Sequence, residues 1–245
     1  MIREAPIVEA KPWEDFEPWF RRTWKQGEHV ACIGPTGFGK TTVIYHLMAM
    51  RRHALALDVK GGDRTLAKLQ RVGFKRVSWP LEPSVYRDVR KGRPAQFIVG
   101  FTPRVAEEMA RLKTMIARCL HDVFSEGGWT VYVDELQMAA SPKMMNLGGI
   151  IELNLIAARN KGVSILTSFQ APRWVPRAAS DQSEWLFVFP SRDRDVVDRL
   201  AEMAGRPREE VQGAIRGLGA KSDHMVLVVG TDPFAPMIVT RAPKV

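Results

Sequence analysis

GPTGFGKTT, Gly34 to Thr42, is the stretch that decides the fold. It matches G-x-x-x-x-G-K-[ST], and its flanks are those the pattern needs. His29 to Ile33 (HVACI) is a short apolar run that predicts a buried strand, and Val43 to Met50 predicts a helix. Strand, glycine loop and helix in that order make a concave anion site, because the loop's backbone N–H groups and the helix N-terminus point inward together. In such a site Lys40 reaches the β- and γ-phosphates of a nucleotide, and the Thr41 hydroxyl reaches a Mg2+ ion. The predicted nucleoside-triphosphate site is therefore Gly34, Pro35, Thr36, Gly37, Phe38 and Gly39 with Lys40, Thr41 and Thr42. Phe38 stands where small or polar residues are usual, and is expected to pack against a partner subunit or the N-terminal segment.

Working outward, the 245 residues with 45% hydrophobic content suit one large α/β domain. Residues 1–26 mix aromatic and charged side chains (KPWEDFEPWFRRTWKQ) and are read as an N-terminal strap; 27–245 are read as a single P-loop domain. Downstream of the loop, apolar runs predict strands at Ala54 to Val59, Phe74 to Trp79, Gln96 to Phe101, Trp129 to Val133, Val163 to Phe169 and Trp185 to Phe189. Helices are predicted at Thr65 to Arg71, at Arg104 to Phe124 from apolar residues at helical spacing, and at Met144 to Arg159. Leu81 to Pro94 reads as a polar loop rich in Pro and Arg. Such alternation predicts a mostly parallel central sheet with helices on both faces; with the glycine loop it resembles the P-loop NTPase fold of RecA-like, additional-strand type. Met225 to Val229 and Met237 to Thr240 flank a turn at Thr231 to Pro236 and predict a terminal edge hairpin.

The net charge of +9 favours an anionic macromolecular partner. Cys32 and Cys119 both fall on apolar faces and read as buried thiols in a reducing compartment. The five histidines lack metal-ligand spacing. No segment resembles a signal peptide and no apolar run is long enough to span a bilayer, so a cytoplasmic protein without membrane insertion is expected.

A second motif fixes the class. WTVYVDE is a hydrophobic strand that delivers Asp134 and Glu135 to the carboxyl edge of the sheet, where the glycine loop also opens. Asp134 is placed to hold Mg2+ opposite Thr41, and Glu135 to polarise the attacking water. A carboxylate beside the Mg2+ residue suits ATP hydrolysis that drives motion, and it conflicts with a non-hydrolysing regulator. A guanine-nucleotide switch needs Asn-Lys-x-Asp, whereas Asn160 and Lys161 are followed by Gly162 and Val163. No arginine-rich lid of the nucleoside-kinase kind is present in the sequence. The third signal is VSILTSFQAP, a strand ending in Gln170, a polar amide able to sense a γ-phosphate or position water.

Taken in order, GPTGFGKTT, LDVKGGD at Leu57 to Asp63, VYVDE at Val131 to Glu135 and ARNKGVSILTSFQAP at Ala158 to Pro172 resemble the HerA/FtsK superfamily of DNA-pumping ATPases. The resemblance runs from Gly34 to about Gly205. Val59 stands where that family commonly has proline, and of its Thr-Gln-Arg-Pro only Gln170 and Pro172 carry over. The resemblance implies a homo-oligomeric, usually hexameric, ring with ATP between subunits and double-stranded DNA through the middle. It also implies that Arg159 reaches the neighbour's γ-phosphate, joining Glu135, Lys40 and Gln170 as catalytic residues. Lys143, Arg173 and Arg177, with Trp174, lie on segments expected to face the pore; the Arg90 to Arg93 cluster reads as an exposed loop. The expected function is viral genome packaging or mobile-element DNA transfer, in the host cytoplasm or virion, with a portal, capsid or membrane-vertex protein as partner. An ATPase that remodels or moves a protein partner is the alternative.

Overall fold

The computed structural model describes residues 8–191, 193–219, 223–230, 232 and 235–245. Its first half contains β1 (Val8–Ala10), α1 (Trp13–Thr23), β2 (His29–Ile33), α2 (Lys40–Ala49), β3 (His53–Leu57), α3 (Arg64–Ala67), β4 (Lys75–Val77), α4 (Pro83–Arg90), β5 (Ala95–Val99) and α5 (Ala106–Glu126). The second half contains β6 (Thr130–Val133), α6 (Leu136–Ala140), α7 (Gly148–Ala157), β7 (Ser164–Phe169), α8 (Ala178–Asp181), β8 (Ser183–Val188), α9 (Arg194–Ala204), α10 (Arg208–Arg216), β9 (Met225–Gly230) and β10 (Met237–Arg241).

The strands form one ten-stranded sheet in the order β1-β10-β9-β8-β2-β7-β6-β3-β5-β4. From β8 to β4 all neighbours are parallel, while β9 runs antiparallel to both β8 and β10. Parallel strands covered on both faces should be apolar throughout, and every residue of β2 and β7 is buried. Alternate residues feed two cores. Ala31, Ile33, Leu55 and Leu57 meet α5, α7, α9 and α10 on one face. Val30, Cys32, Ala54 and Ala56 meet α1, α2 and α3 on the other. Both cysteines are buried thiols, as expected.

The predicted strands and the long helix are present. Gly127, at φ 76° where its Cβ would meet the Lys161 carbonyl oxygen at 2.6 Å, ends α5. The terminal hairpin lies at its end of the sheet, with β1 added in parallel outside it. Residues 1–7 of the strap and residues 231, 233 and 234 of the hairpin turn lie outside the described residues.

Three expectations are corrected. The segment read as a polar loop from Leu81 to Pro94 contains α4, which starts with Pro83 in the first turn and packs Val85, Tyr86 and Val89 against the core. Arg90 therefore closes a helix and pairs bidentately with Glu126 at 2.5 and 2.7 Å. The helix expected from Met144 starts at Gly148, because Asn146 takes a left-handed φ of 51° and interrupts it. The helix expected to reach Arg71 is α-helical to Ala67 and continues as a 3-10 turn over Lys68–Val72.

Candidate nucleotide site

β2 delivers the glycine loop to the carboxyl edge, and the loop closes back on the sheet. Gly34 sits where a Cβ would lie 2.7 Å from the Phe189 Cβ, so glycine is required there. Gly39, at φ 105°, is the residue before α2 and supplies no side-chain cap, so the first N–H groups of α2 open into a cleft of about 310 Å3. The Lys40 ammonium arches over the loop and donates to the carbonyls of Gly34 and Pro35 at 2.6 and 2.9 Å. Burial lowers its pKa, against the pull of Glu135.

Across the cleft stands the acidic pair. Tyr132 donates to Asp134 Oδ1 at 2.9 Å and accepts from Ser168 at 2.8 Å, which fixes the carboxylate. The other oxygen, Oδ2, is buried without a protein hydrogen-bond partner. Burial, with Asp63 as a second nearby negative charge, raises Asp134 to about 7. Glu135 has φ 48° and ψ 62°, a left-handed conformation that costs a non-glycine residue about 1 kcal/mol. Its carboxylate pairs with Lys60 at 2.7 Å.

The turn that carries Lys60 is itself held. Asp58, fully buried at the end of β3, accepts from the Gly62 N–H at 2.9 Å and from Arg76 at 3.1 Å. Arg76 also donates to the Gly100 carbonyl at 2.8 Å, tying this turn to β4 and β5. Asp63 caps α3 through the Thr65 and Leu66 N–H groups, both at 2.8 Å, and faces the cleft with Lys60, Ser168 and His224.

Of the residues expected to act, Thr36, Gly37, Gly39, Lys40, Thr41, Thr42, Asp134 and Glu135 line one cleft. Gln170 joins it indirectly, donating to the Thr36 hydroxyl at 3.0 Å. Phe38 is partly buried against the core beneath the sheet. Arg159 is not brought to this cleft. It precedes β7 at the opposite edge of the sheet, pairing with Glu184 at 2.6 Å and resting its carbonyl against Gly27. Lys143 is exposed in the turn between α6 and α7. Arg173 pairs with Asp195 at 2.9 Å and lies over Trp174, and Arg177 pairs with Asp181 at 2.9 Å.

Lys60 and Asp63 stand within the LDVKGGD motif, whose charged pattern could have nominated them. Ser168 lies two residues before Gln170. His224 carried no local signal, since it reaches the loop from 186 residues away.

A glycine loop between a parallel strand and a helix, facing an acidic strand end two strands away, defines a P-loop NTPase fold. No family model matches the chain, and no curated protein matches it. Among solved structures, it resembles the genome packaging NTPase B204 from Sulfolobus turreted icosahedral virus 2 in complex with AMPPCP. That match has a TM-score of 0.56 and 12% identity over 89% of this chain and 98% of the other. It also resembles the pCW3 conjugation coupling protein TcpA, at TM-score 0.54 and 13% identity over 89% of this chain and 60% of that one. A third likeness is the cytoplasmic domain of the Thermomonospora curvata type VII secretion ATPase EccC, at TM-score 0.54 and 16% identity over 90% and 26%. The fold is that shared by these P-loop ATPases, in keeping with the mostly parallel, helix-covered sheet expected from the sequence.

Proposed function

We propose that the chain is an ATP-hydrolysing translocase of double-stranded DNA that works as a homo-oligomeric ring, in viral genome packaging or mobile-element DNA transfer. The observation that carries this reading is the meeting of Lys40, Thr41, Asp134 and Glu135 in one cleft. The likeness in fold to a packaging NTPase and a conjugation coupling protein supports it.

In this reading the loop N–H groups and Lys40 neutralise the phosphates, and Glu135 accepts the proton of the attacking water. The donors fit a hard divalent cation such as Mg2+: an unpartnered buried carboxylate oxygen on Asp134 and the Thr41 hydroxyl. Such an ion, when bound, offsets charge on the β- and γ-phosphates. Lys60 orients Glu135 from the side, and Gln170 reads the phosphate end through Thr36. Arg159, placed away from its own cleft, serves the cleft of a neighbouring subunit. Lys143, Arg173 and Arg177 contact DNA phosphates, the last two by exchanging aspartate partners for phosphate.

ATPase turnover measured with and without duplex DNA over a salt series tests the reading. Stimulation that fades as salt rises is expected; no DNA effect at low salt removes the DNA role. That second outcome favours an ATPase that moves a protein, a reading supported by the likeness to the secretion ATPase and by the aspartate pairing of Arg173 and Arg177.

A further inference from the structure

The cleft has two ends. Asp134 and Glu135 mark the end where the terminal phosphate reacts, so on a P-loop the nucleoside leaves at the other, past Gly39 and Thr42. There the cleft adjoins a small cavity of about 40 Å3 whose walls include Gly39, Thr42, His224, Arg241 and Lys244. Gly39, Thr42 and His224 are common to both spaces.

This wall is built from the far end of the chain. His224 has φ 49°, a left-handed conformation held at a cost immediately before β9. Its Nδ1 lies 3.3 Å from the Phe38 carbonyl oxygen, which can only accept, so the ring carries its hydrogen there. In the neutral ring that leaves Nε2 as an acceptor. A Cβ on Gly39 would lie in ordinary contact, 3.6 Å from both His224 Nδ1 and the Phe189 ring, so His224 borders the glycine loop directly. Segment 242–245 is fixed against α2 and the turn after α3: His46 Nε2 donates to the Pro243 carbonyl at 2.9 Å, and Lys68 to the Val245 carbonyl at 2.6 Å. Arg241 and Lys244 thereby add positive charge beside Thr42.

We infer that His224, with Arg241 and Lys244, forms the nucleoside subsite of the cleft, accepting a hydrogen bond from the sugar or base and placing cationic stems along its edge. The inference rests on the triphosphate reading of the glycine loop and assigns the part of the ligand that this loop does not touch. A nucleotide then bridges two distant parts of the chain, the loop after β2 and the segments flanking the terminal hairpin.

Binding of ATP and of inorganic tripolyphosphate, each with Mg2+, separates the two readings. Wild-type protein is expected to bind ATP more tightly than tripolyphosphate. His224→Ala should weaken ATP about five- to tenfold, the size of one lost hydrogen bond or ring contact, and leave tripolyphosphate unchanged. Retained tripolyphosphate binding also certifies a folded loop. Lys244→Ala, an exposed change, should reduce the same ATP advantage. Equal weakening of both ligands by His224→Ala would mean that the ring acts by bracing Phe38, and overturns the subsite. ATP affinity untouched in both variants overturns it too, while the triphosphate reading stands. A wild-type protein that binds neither ligand overturns both.

Discussion

Glu135 is held twice, by a backbone conformation that glycine would prefer and by an ion pair with Lys60. Tolerating that geometry at a strand end is consistent with a carboxylate whose direction matters more than its local stability. Glu135→Gln preserves shape and removes the proposed base, so turnover should fall about 10²- to 10⁴-fold while ATP binding persists, read by single-turnover kinetics and a binding titration; unchanged turnover removes Glu135 from its role. Behind Lys60, Arg76 is the partner of a fully buried Asp58 carboxylate. Arg76→Ala leaves that charge unpaired and should cost about 2 kcal/mol, discounted because Arg76 is itself one-third exposed, with a lower midpoint in urea as the measure. At this scale the meeting of GPTGFGKTT and VDE at one cleft was legible, because a short motif carries its own geometry. Asp58 was not, since a buried aspartate at a strand end shows its partner, Arg76 on β4, only once β5 has brought β4 and β3 into one sheet.

Among the elements, α1 is defined by its aromatic side chains. Phe20 is fully buried, stacked on Phe16 and Trp24 and meeting Trp185 and Phe187 edge to face. Phe20→Ala should destabilise by about 3–5 kcal/mol, measured by denaturant unfolding. The receiving surface of α1 includes Trp185 and Phe187 of β8, which no local pattern reveals. α4 was missed because it is short and lies in a segment broken by Pro83, Gly92 and Pro94, although Pro83 occupies a position that helices accept. At the start of β2, His29 is buried between the Leu155 carbonyl and the Ile165 N–H, and burial lowers its pKa to about 4, helped by the nearby Arg159 charge. Its backbone N–H meets the Glu184 carboxylate at 2.7 Å. The folded state therefore binds its proton less readily than the unfolded chain, so this stability is present above about pH 6.5 and is lost as pH falls toward 4. Unfolding of wild type against His29→Gln across that range should show a wild-type advantage shrinking by about 3 kcal/mol. A constant difference would mean that His29 does not titrate in this window.

At the scale of the whole molecule, the cleft and Arg159 occupy opposite edges of one sheet. A single chain cannot bring them together without unfolding β2 and β7, so an Arg159 that acts on phosphate must act on another copy. Arg159→Ala and Lys40→Ala should each abolish hydrolysis alone, and mixed assemblies should recover part of it, since each chain retains the half that the other lacks. No recovery in assemblies shown by mass to contain both chains would leave Arg159 as the partner of Glu184 and nothing more. The order of βα units was readable because apolar runs and glycine breaks alternate along the chain. Insertion of β2 between β7 and β8, and of β3 between β6 and β5, was not, because strand order depends on contacts made across the whole sequence.

The aromatic seam under α1 gives the protein a built-in optical reporter. Trp13, Trp19, Trp24 and Trp185 gather there out of seven tryptophans in the chain, with the Arg51 guanidinium 3.5 Å from the centre of the Trp24 ring. Release of α1 would expose four indoles to water while the parallel strands stay paired. A red shift in emission that precedes the loss of far-ultraviolet dichroism would then time the departure of one helix without any label.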